Sequence, residues 1–178
     1  MKIVAGKFKG KTLIERPYEH IRPTADMVKQ SIFNKLQFNL LGAKVLDLFC
    51  GTGALGIEAL SRGADKVIMA DGDKRSVNLA QDNLKLIGSP QEASVMLGDF
   101  RQVLSSLNGE KFDIIILDPP YQSGIYHECL VLIERYDLLA EGGIIVCEQD
   151  KSTIINYSPY NVQDERIYGI KKVAYLVK

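Results

Sequence analysis

The sequence predicts an α/β protein, an open and mostly parallel seven-stranded sheet with helices on both faces, preceded by a basic β-hairpin arm. Three observations predict it. From residue 43 onward short apolar runs alternate with segments of helical periodicity, a glycine-rich loop joins the first such run to the first such helix, and the first 44 residues differ in charge from the rest. Strands alternating with helices pair in parallel, because each crossover helix returns the chain to the same edge of the sheet.

The runs Lys2 to Ala5 and Lys11 to Glu15 are β-prone and are separated by glycines and lysines, which predicts a hairpin or extended arm over residues 1–23. After Pro23 a helix is expected from Thr24 as N-cap to about Phe38, with Val28, Ile32 and Leu36 on its apolar stripe. Strands follow at Lys44 to Phe49, Lys66 to Ala70, Ala93 to Leu97, Phe112 to Leu117 and Gly143 to Cys147. The helices between them are expected at Ala54 to Ser61, Lys74 to Ile87, Phe100 to Leu107 and Ile125 to Leu139. The tail adds β-prone runs around Tyr160 to Val162 and at Lys171 to Val177. Residues 24–178 read as one domain.

With 178 residues, 46% of them apolar, the chain can bury about 70% of its unfolded surface and needs no disulfide to fold. Three cysteines without CxxC spacing and two histidines make a metal centre poorly supported. No apolar run reaches the roughly 18 residues of a membrane span, and the lysines near the start do not fit a signal peptide. The expected setting is cytoplasmic, without metal, and a monomer is the default. The net charge is zero, yet residues 1–44 hold nine basic side chains against three acidic ones, +6, which leaves −6 for the remainder. A basic arm on an acidic body points to an electrostatic contact at one end, such as a phosphate backbone; lysines that merely keep a hairpin soluble are the competing reading.

The segment Asp47-Leu48-Phe49-Cys50-Gly51-Thr52-Gly53-Ala54-Leu55-Gly56 ends a strand and opens a helix. Glycines there let the backbone turn tightly and lie against a ligand. Asp71 stands 20 positions beyond Gly51 at the end of the next strand, with Asp73 beside it, about the spacing at which a carboxylate grips ribose hydroxyls. Nicotinamide dinucleotides and S-adenosylmethionine both satisfy this pattern. The chain has no length for a second mononucleotide half, and Asp47 would face the cationic methionyl end of S-adenosylmethionine. Gly98-Asp99-Phe100 would set Asp99 at the adenine amine, or Asp99 caps the following helix, or both. Phe49, Thr52, Gly53 and Phe100 complete the candidate cofactor lining.

Asp118-Pro119-Pro120-Tyr121 follows the fourth strand, a turn stiffened by two prolines at the carboxyl edge of the sheet. DPPY after a DLFCGTG loop resembles the class I S-adenosylmethionine-dependent methyltransferases that modify exocyclic amines, so the fold implied is the Rossmann-like class I methyltransferase fold. Arg22-Pro23-Thr24-Ala25-Asp26, Ser31-Ile32-Phe33-Asn34 and the run Gly53 to Ala64, with Leu60-Ser61-Arg62-Gly63-Ala64 in it, narrow the resemblance to the RsmD family, which methylates N2 of one guanine in small-subunit ribosomal RNA. The resemblance implies that Asp118 and the Pro119 carbonyl accept the N–H groups of the target amine and that Tyr121 stacks on the extruded base. It further implies S-adenosylmethionine as cofactor and ribosomal RNA, free or within a 30S subunit, as partner, contacted by Lys7, Lys9, Lys11, Arg22 and Tyr121. The family carries a glutamate where this chain has Asp71, so either Asp71 or Asp73 holds the ribose.

Other residues receive plainer readings. Glu58 and Arg62 are expected to form a surface i,i+4 pair, Cys50 to fill space in the loop, and His127, Tyr157 and Tyr160 to pack. Arg22 is open between a flap over the cofactor, an RNA contact and a local pair with Asp26. The rival functions are amino methylation of DNA or of a protein glutamine, a noncatalytic binding module, and a nicotinamide-dependent oxidoreductase.

Overall fold

The computed structural model describes residues 1–15, 23–119 and 123–178. Seven strands form one sheet: β1 (Lys44–Leu48), β2 (Lys66–Asp71), β3 (Ala93–Leu97), β4 (Phe112–Leu117), β5 (Leu139–Asp150), β6 (Asn161–Tyr168) and β7 (Lys171–Val177), in the order β3-β2-β1-β4-β5-β7-β6. The first five pair in parallel, and β7 runs antiparallel between β5 and β6. The helices are α1 (Pro23–Lys35), α2 (Ala54–Ser61), α3 (Lys74–Leu86), α4 (Phe100–Ser106) and α5 (Ser123–Arg135). Side chains of α1, α2 and α3 join one face of the sheet in a core that includes Ile32, Phe33, Ile57, Ala80 and Tyr175, while α4 and α5 cover the other through Val103, Leu104, Leu130 and Ile133.

The central strands are buried on both faces, so KVLDL and FDIIIL read as nearly continuous apolar runs rather than alternating ones. On α3 the buried positions Val77, Ala80 and Leu84 recur at helical spacing. Asp73 and Asp99 cap α3 and α4 by accepting the backbone N–H of Arg75 and Arg101, two residues into each helix, at 2.8 and 2.9 Å. No helix among the described residues is long and apolar enough to cross a membrane.

Several elements differ from the sequence expectation. The helix near the start begins at Pro23 and stops at Lys35, with turns over 36–39. The helix expected to reach Leu139 ends at Arg135, where Asp137 takes a left-handed φ of 49° and releases Leu138 and Leu139 into the sheet. β5 is much longer than Gly143 to Cys147. An irregularity between Phe112 and Ile114 lets Leu139 pair with Phe112 while Ile144 pairs with Ile114. Its far end outruns β4 because β7 continues the pairing as far as Asp150 opposite Lys171. β6 extends to Tyr168; as a mostly exposed edge strand it carries little apolar signal.

The arm is not a regular hairpin. One antiparallel bridge joins Lys2 to Thr12, and residues 5–10 form a turn. Backbone hydrogen bonds join Leu13 to Met1 and both Lys11 and Gly10 to Ile3, while the Val4 and Ala5 amides donate to the Glu58 carboxylate, at 2.9 and 3.1 Å. Glu58 is therefore no surface residue. It is fully buried on α2, where Arg62 Nε approaches to 2.8 Å and the buried Lys29 ammonium of α1 to 3.4 Å. Lys29 also donates to the Lys2 carbonyl at 2.5 Å. At the turn, a Cβ on Gly6 would lie 1.7 Å from the Ser61 carbonyl oxygen, and its φ is +83°, so only glycine lets the arm rest on the end of α2.

Candidate active site

Parallel strands deliver their carboxyl ends to one edge, and the chemistry-bearing residues gather there. Phe49 and Cys50 turn off β1 with both amides donating to the Ala70 carbonyl at 2.9 Å. Phe49 holds a left-handed φ of 71°, a conformation costly for a side chain with a Cβ and concentrated at functional sites. Its ring packs on Phe100, the first residue of α4, with centroids 5.6 Å apart. Gly51 and Gly53 follow with positive φ, and a Cβ on Gly51 would meet nothing within 4 Å. Open space over Gly51 is what a ligand lying on this loop requires. Gly56 serves packing instead, since its Cβ would sit 2.6 Å from Met69 Cγ and its bareness lets α2 close onto β2.

Asp71 ties the edge together. One carboxylate oxygen accepts the Gly51 amide at 2.9 Å and the other the Asp73 amide at 2.8 Å. Each oxygen retains a lone pair for a further donor. The Asp73 carboxylate, in contrast, is engaged by the Arg75 amide and guanidinium. Asp99 is similarly engaged, by the Arg101 amide and guanidinium, so the capping role expected for it is present. Thr52 offers its carbonyl to Asn83 Nδ2 at 2.9 Å. Asn83, fully buried on α3, also exchanges two hydrogen bonds with the Ile14 backbone, at 2.7 and 3.0 Å, and so pins the arm to the glycine loop.

Asp47 is nearly inaccessible, 1% exposed, and accepts the Gly56 amide at 2.8 Å. Burial pushes its carboxyl up to about 7 against the pull of that amide, and Asp71 adds to the rise. A carboxyl raised in the folded state costs stability as pH climbs from its ordinary value of 3.8 toward 7. Asp47→Asn, which keeps a carbonyl for Gly56, is expected to flatten the loss of stability between pH 4 and 7; urea midpoints across that range check it.

Asp118 is the first residue past β4, and Leu117 pairs with both Leu48 and Cys147, so Asp118 stands beside Phe49 and Glu148 at the edge. Strand alternation sets Asp47, Asp118, Glu148 and Asp150 on the same face as Val45, Ile116 and Val146, the face that α1 to α3 cover. Asp118 is half-buried, and Pro119 after it is buried. Burial drives its carboxyl well above the ordinary range, with Glu148, Asp47 and Asp150 adding to the rise and Lys171 opposing it. Such a carboxylate is a strong hydrogen-bond acceptor and a ready proton acceptor. Above this row, Ser31 of α1 bonds Tyr168 at the carboxyl end of β6 while Lys35 reaches back to Asp164 at 2.7 Å.

Thus Asp47, Phe49, Gly51, Thr52, Gly53, Asp71, Asp73, Asp99, Phe100, Asp118 and Pro119 all lie along the carboxyl edge. Arg22 and Tyr121 fall outside the described residues. Lys7, Lys9 and Lys11 do not join the group: the Lys7 amide bonds Ser61 at the end of α2, and Lys11 Nζ bonds the carbonyl of Leu86 at the end of α3. Those lysines stand at the opposite edge, roughly 18 Å down α3 from its capped start. Sequence reasoning gave no role to Asn83, Glu148 or Lys171. A polar residue inside the apolar stripe of α3 and two acids spaced i,i+2 at the end of β5 were the available signals.

A glycine loop after β1, with Asp71 and Asp118-Pro119 on the same carboxyl edge of a 3-2-1-4-5-7-6 sheet, is the architecture of a class I methyltransferase. Residues 1–177 match the family model described as "Conserved hypothetical protein 95". Relatives include YlbH of Bacillus subtilis strain 168, 36% identical with 98% of this chain and 97% of that one covered. Ribosomal RNA small subunit methyltransferase D of Haemophilus influenzae is 32% identical, covering 96% of this chain and 90% of its own. A solved Escherichia coli structure, yhhF, is 28% identical and covers 99% of this chain and 96% of that one, with a TM-score of 0.86. The chain belongs to this family, the RsmD family of S-adenosylmethionine-dependent methyltransferases.

Proposed function

We propose that the protein transfers a methyl group from S-adenosylmethionine to the exocyclic N2 amine of a guanine in small-subunit ribosomal RNA. The observation that carries this reading is the half-buried Asp118 carboxylate, of raised proton affinity, followed by Pro119 and set across the edge from the Gly51 loop and Asp71. The site fits the cofactor: space lies open over Gly51, and Asp71 has lone pairs to accept two ribose hydroxyls where Asp73 is engaged. Phe49 and Phe100 supply an apolar wall. Bound there, S-adenosylmethionine supplies an electrophilic methyl group.

An exocyclic guanine amine is a weak nucleophile because its lone pair is delocalised into the ring. Asp118 and the Pro119 carbonyl accept its two N–H bonds, orient the lone pair and offset the positive charge that grows on nitrogen. Asp118 then takes the proton that nitrogen must release. Tyr121 stacks on the extruded base. Lys7, Lys9 and Lys11, at the far edge, contact a segment of RNA separate from the target base, and a folded RNA or assembled subunit presents both segments at once.

Labelled methyl transfer from S-adenosylmethionine to undermethylated small subunits, free small-subunit RNA, duplex DNA and protein tests the reading. Label at guanine N2 of the subunit RNA is expected; label only in DNA or protein overturns the substrate, and no transfer despite cofactor binding overturns the catalytic assignment.

A further inference from the structure

Behind Asp118 the sheet holds a charge arrangement that cofactor and base binding do not account for. Lys171 opens β7 directly opposite Asp150, the last residue of β5, and Val173 lies opposite Glu148. The Lys171 ammonium stands 3.5 Å from Asp150 Oδ1 and 3.7 Å from Glu148 Oε1, with Lys171 and Glu148 both largely buried. Alternation puts these three side chains on the face that Asp118 occupies. Tyr126 of α5 donates its hydroxyl to the Glu148 carbonyl and so fixes the strand at that point. Among the described residues, the charged and titratable groups acting on Asp118 are Asp47 from β1, Glu148 and Asp150 from β5, and Lys171 from β7, while the Tyr126 hydroxyl of α5, on the other face of the sheet, is held by the Glu148 carbonyl. Lys171 is the cation in that set.

We propose that Lys171 is a positioning residue for the reaction: clamped between Glu148 and Asp150, it offsets their charge and so favours the ionised form of Asp118, the form that can take up the proton the amine releases. This rests on Asp118 being the acceptor. The carboxylates of Asp47, Glu148 and Asp150 beside Asp118 without a cation would favour its protonated form, and a protonated carboxyl cannot take up the released proton and presents an O–H donor where the amine needs an acceptor. Lys171 lowers the proton affinity of Asp118 and Glu148 raises it, so removing either charge moves the acid limb of the rate profile in opposite directions.

The test is the pH dependence of single-turnover methyl transfer for the parent, Lys171→Met, Lys171→Arg and Glu148→Gln, together with the pH titration of the Asp118 carboxyl carbon in cofactor-free protein labelled with 13C-aspartate. Asp118→Asn assigns the resonance. For Lys171→Met the acid limb and the Asp118 titration are expected to move up by about one pH unit, so that the rate below the limb falls about tenfold while the high-pH plateau stays within about twofold. Lys171→Arg is expected to keep the parent limb, and Glu148→Gln to move it down. A Lys171→Met profile that scales uniformly at every pH, or a Glu148→Gln limb that does not move, overturns the proposal and leaves Asp118 as acceptor. An Asp118→Asn enzyme that retains the parent rate and limb overturns the acceptor assignment itself. Should Lys171→Met fail to fold, Glu148→Gln and the carbon titration decide.

Discussion

Asp118→Asn is expected to slow methyl transfer by roughly 10²–10⁴-fold while the protein becomes no less stable, and above neutral pH more stable. The two effects share one cause. In the folded protein, burial and the carboxylates of Glu148, Asp47 and Asp150 raise the carboxyl above its ordinary 3.8. Folding therefore works against ionisation, and the opposition grows as pH rises from the ordinary carboxylate range to the raised one. Asparagine keeps the shape and one acceptor oxygen, removes the charge that costs stability, and presents an N–H donor where the amine needs an acceptor. Cofactor affinity is expected to stay within about threefold, since the glycine loop and Asp71 are untouched. Single-turnover transfer, cofactor titration and thermal melts at pH 6 and 8.5 check these expectations together. A variant with near-parental rate, or one that melts lower at pH 8.5, contradicts them.

Glu58→Ala is expected to destabilise the fold by about 3–5 kcal/mol. It strands the buried Lys29 ammonium and removes the acceptor for the Val4 and Ala5 amides, each of which then lacks its partner. Urea unfolding measures the loss. Amide exchange at Val4 and Ala5 should accelerate out of proportion to global unfolding, because their bonds are the arm's own tie to α2. The double variant Lys29→Met with Glu58→Gln is expected to recover part of the loss, since it removes the buried Lys29 ammonium and keeps an amide oxygen for the Val4 and Ala5 amides. A loss below about 1 kcal/mol for Glu58→Ala would refute the role of this carboxylate as the clamp of the arm.

What the sequence made legible was the placement of residues whose determinants are local. The Gly51 to Gly56 loop, the helices capped by Asp73 and Asp99, and Asp118 at the end of β4 each depend on a few adjacent residues and on the direction of one strand. The sheet, with helices on both faces, follows from the same alternation. What was not legible depends on partners remote in sequence. Glu58 and Arg62 have the spacing of a surface pair, and only the docking of α1 and the arm buries them. Lys171 reads as one more lysine until antiparallel pairing brings it opposite Asp150. The lysines of the arm look like part of the reactive end by charge alone, yet a turn anchored on Ser61 and Leu86 carries them to the other edge. Edge strand β6, mostly exposed, has too little apolar pattern to show its length.

The attachment of α1 to β6 bears on how the molecule comes together during synthesis. Ser31 meets Tyr168 and Lys35 meets Asp164 across 137 and 129 positions of chain, so a helix made early waits for one of the last strands to emerge. Contacts of such separation carry the largest loop-closure entropy and form late. The central strands and their crossover helices can settle as each is translated, whereas the edge of β6 and β7 and the helix lying on it close as a final unit. The carboxyl edge, backed by Lys171 on β7, is thus expected to be completed last, and a nascent chain lacking β6 and β7 would leave α1 without its partners Tyr168 and Asp164 rather than form a partial enzyme.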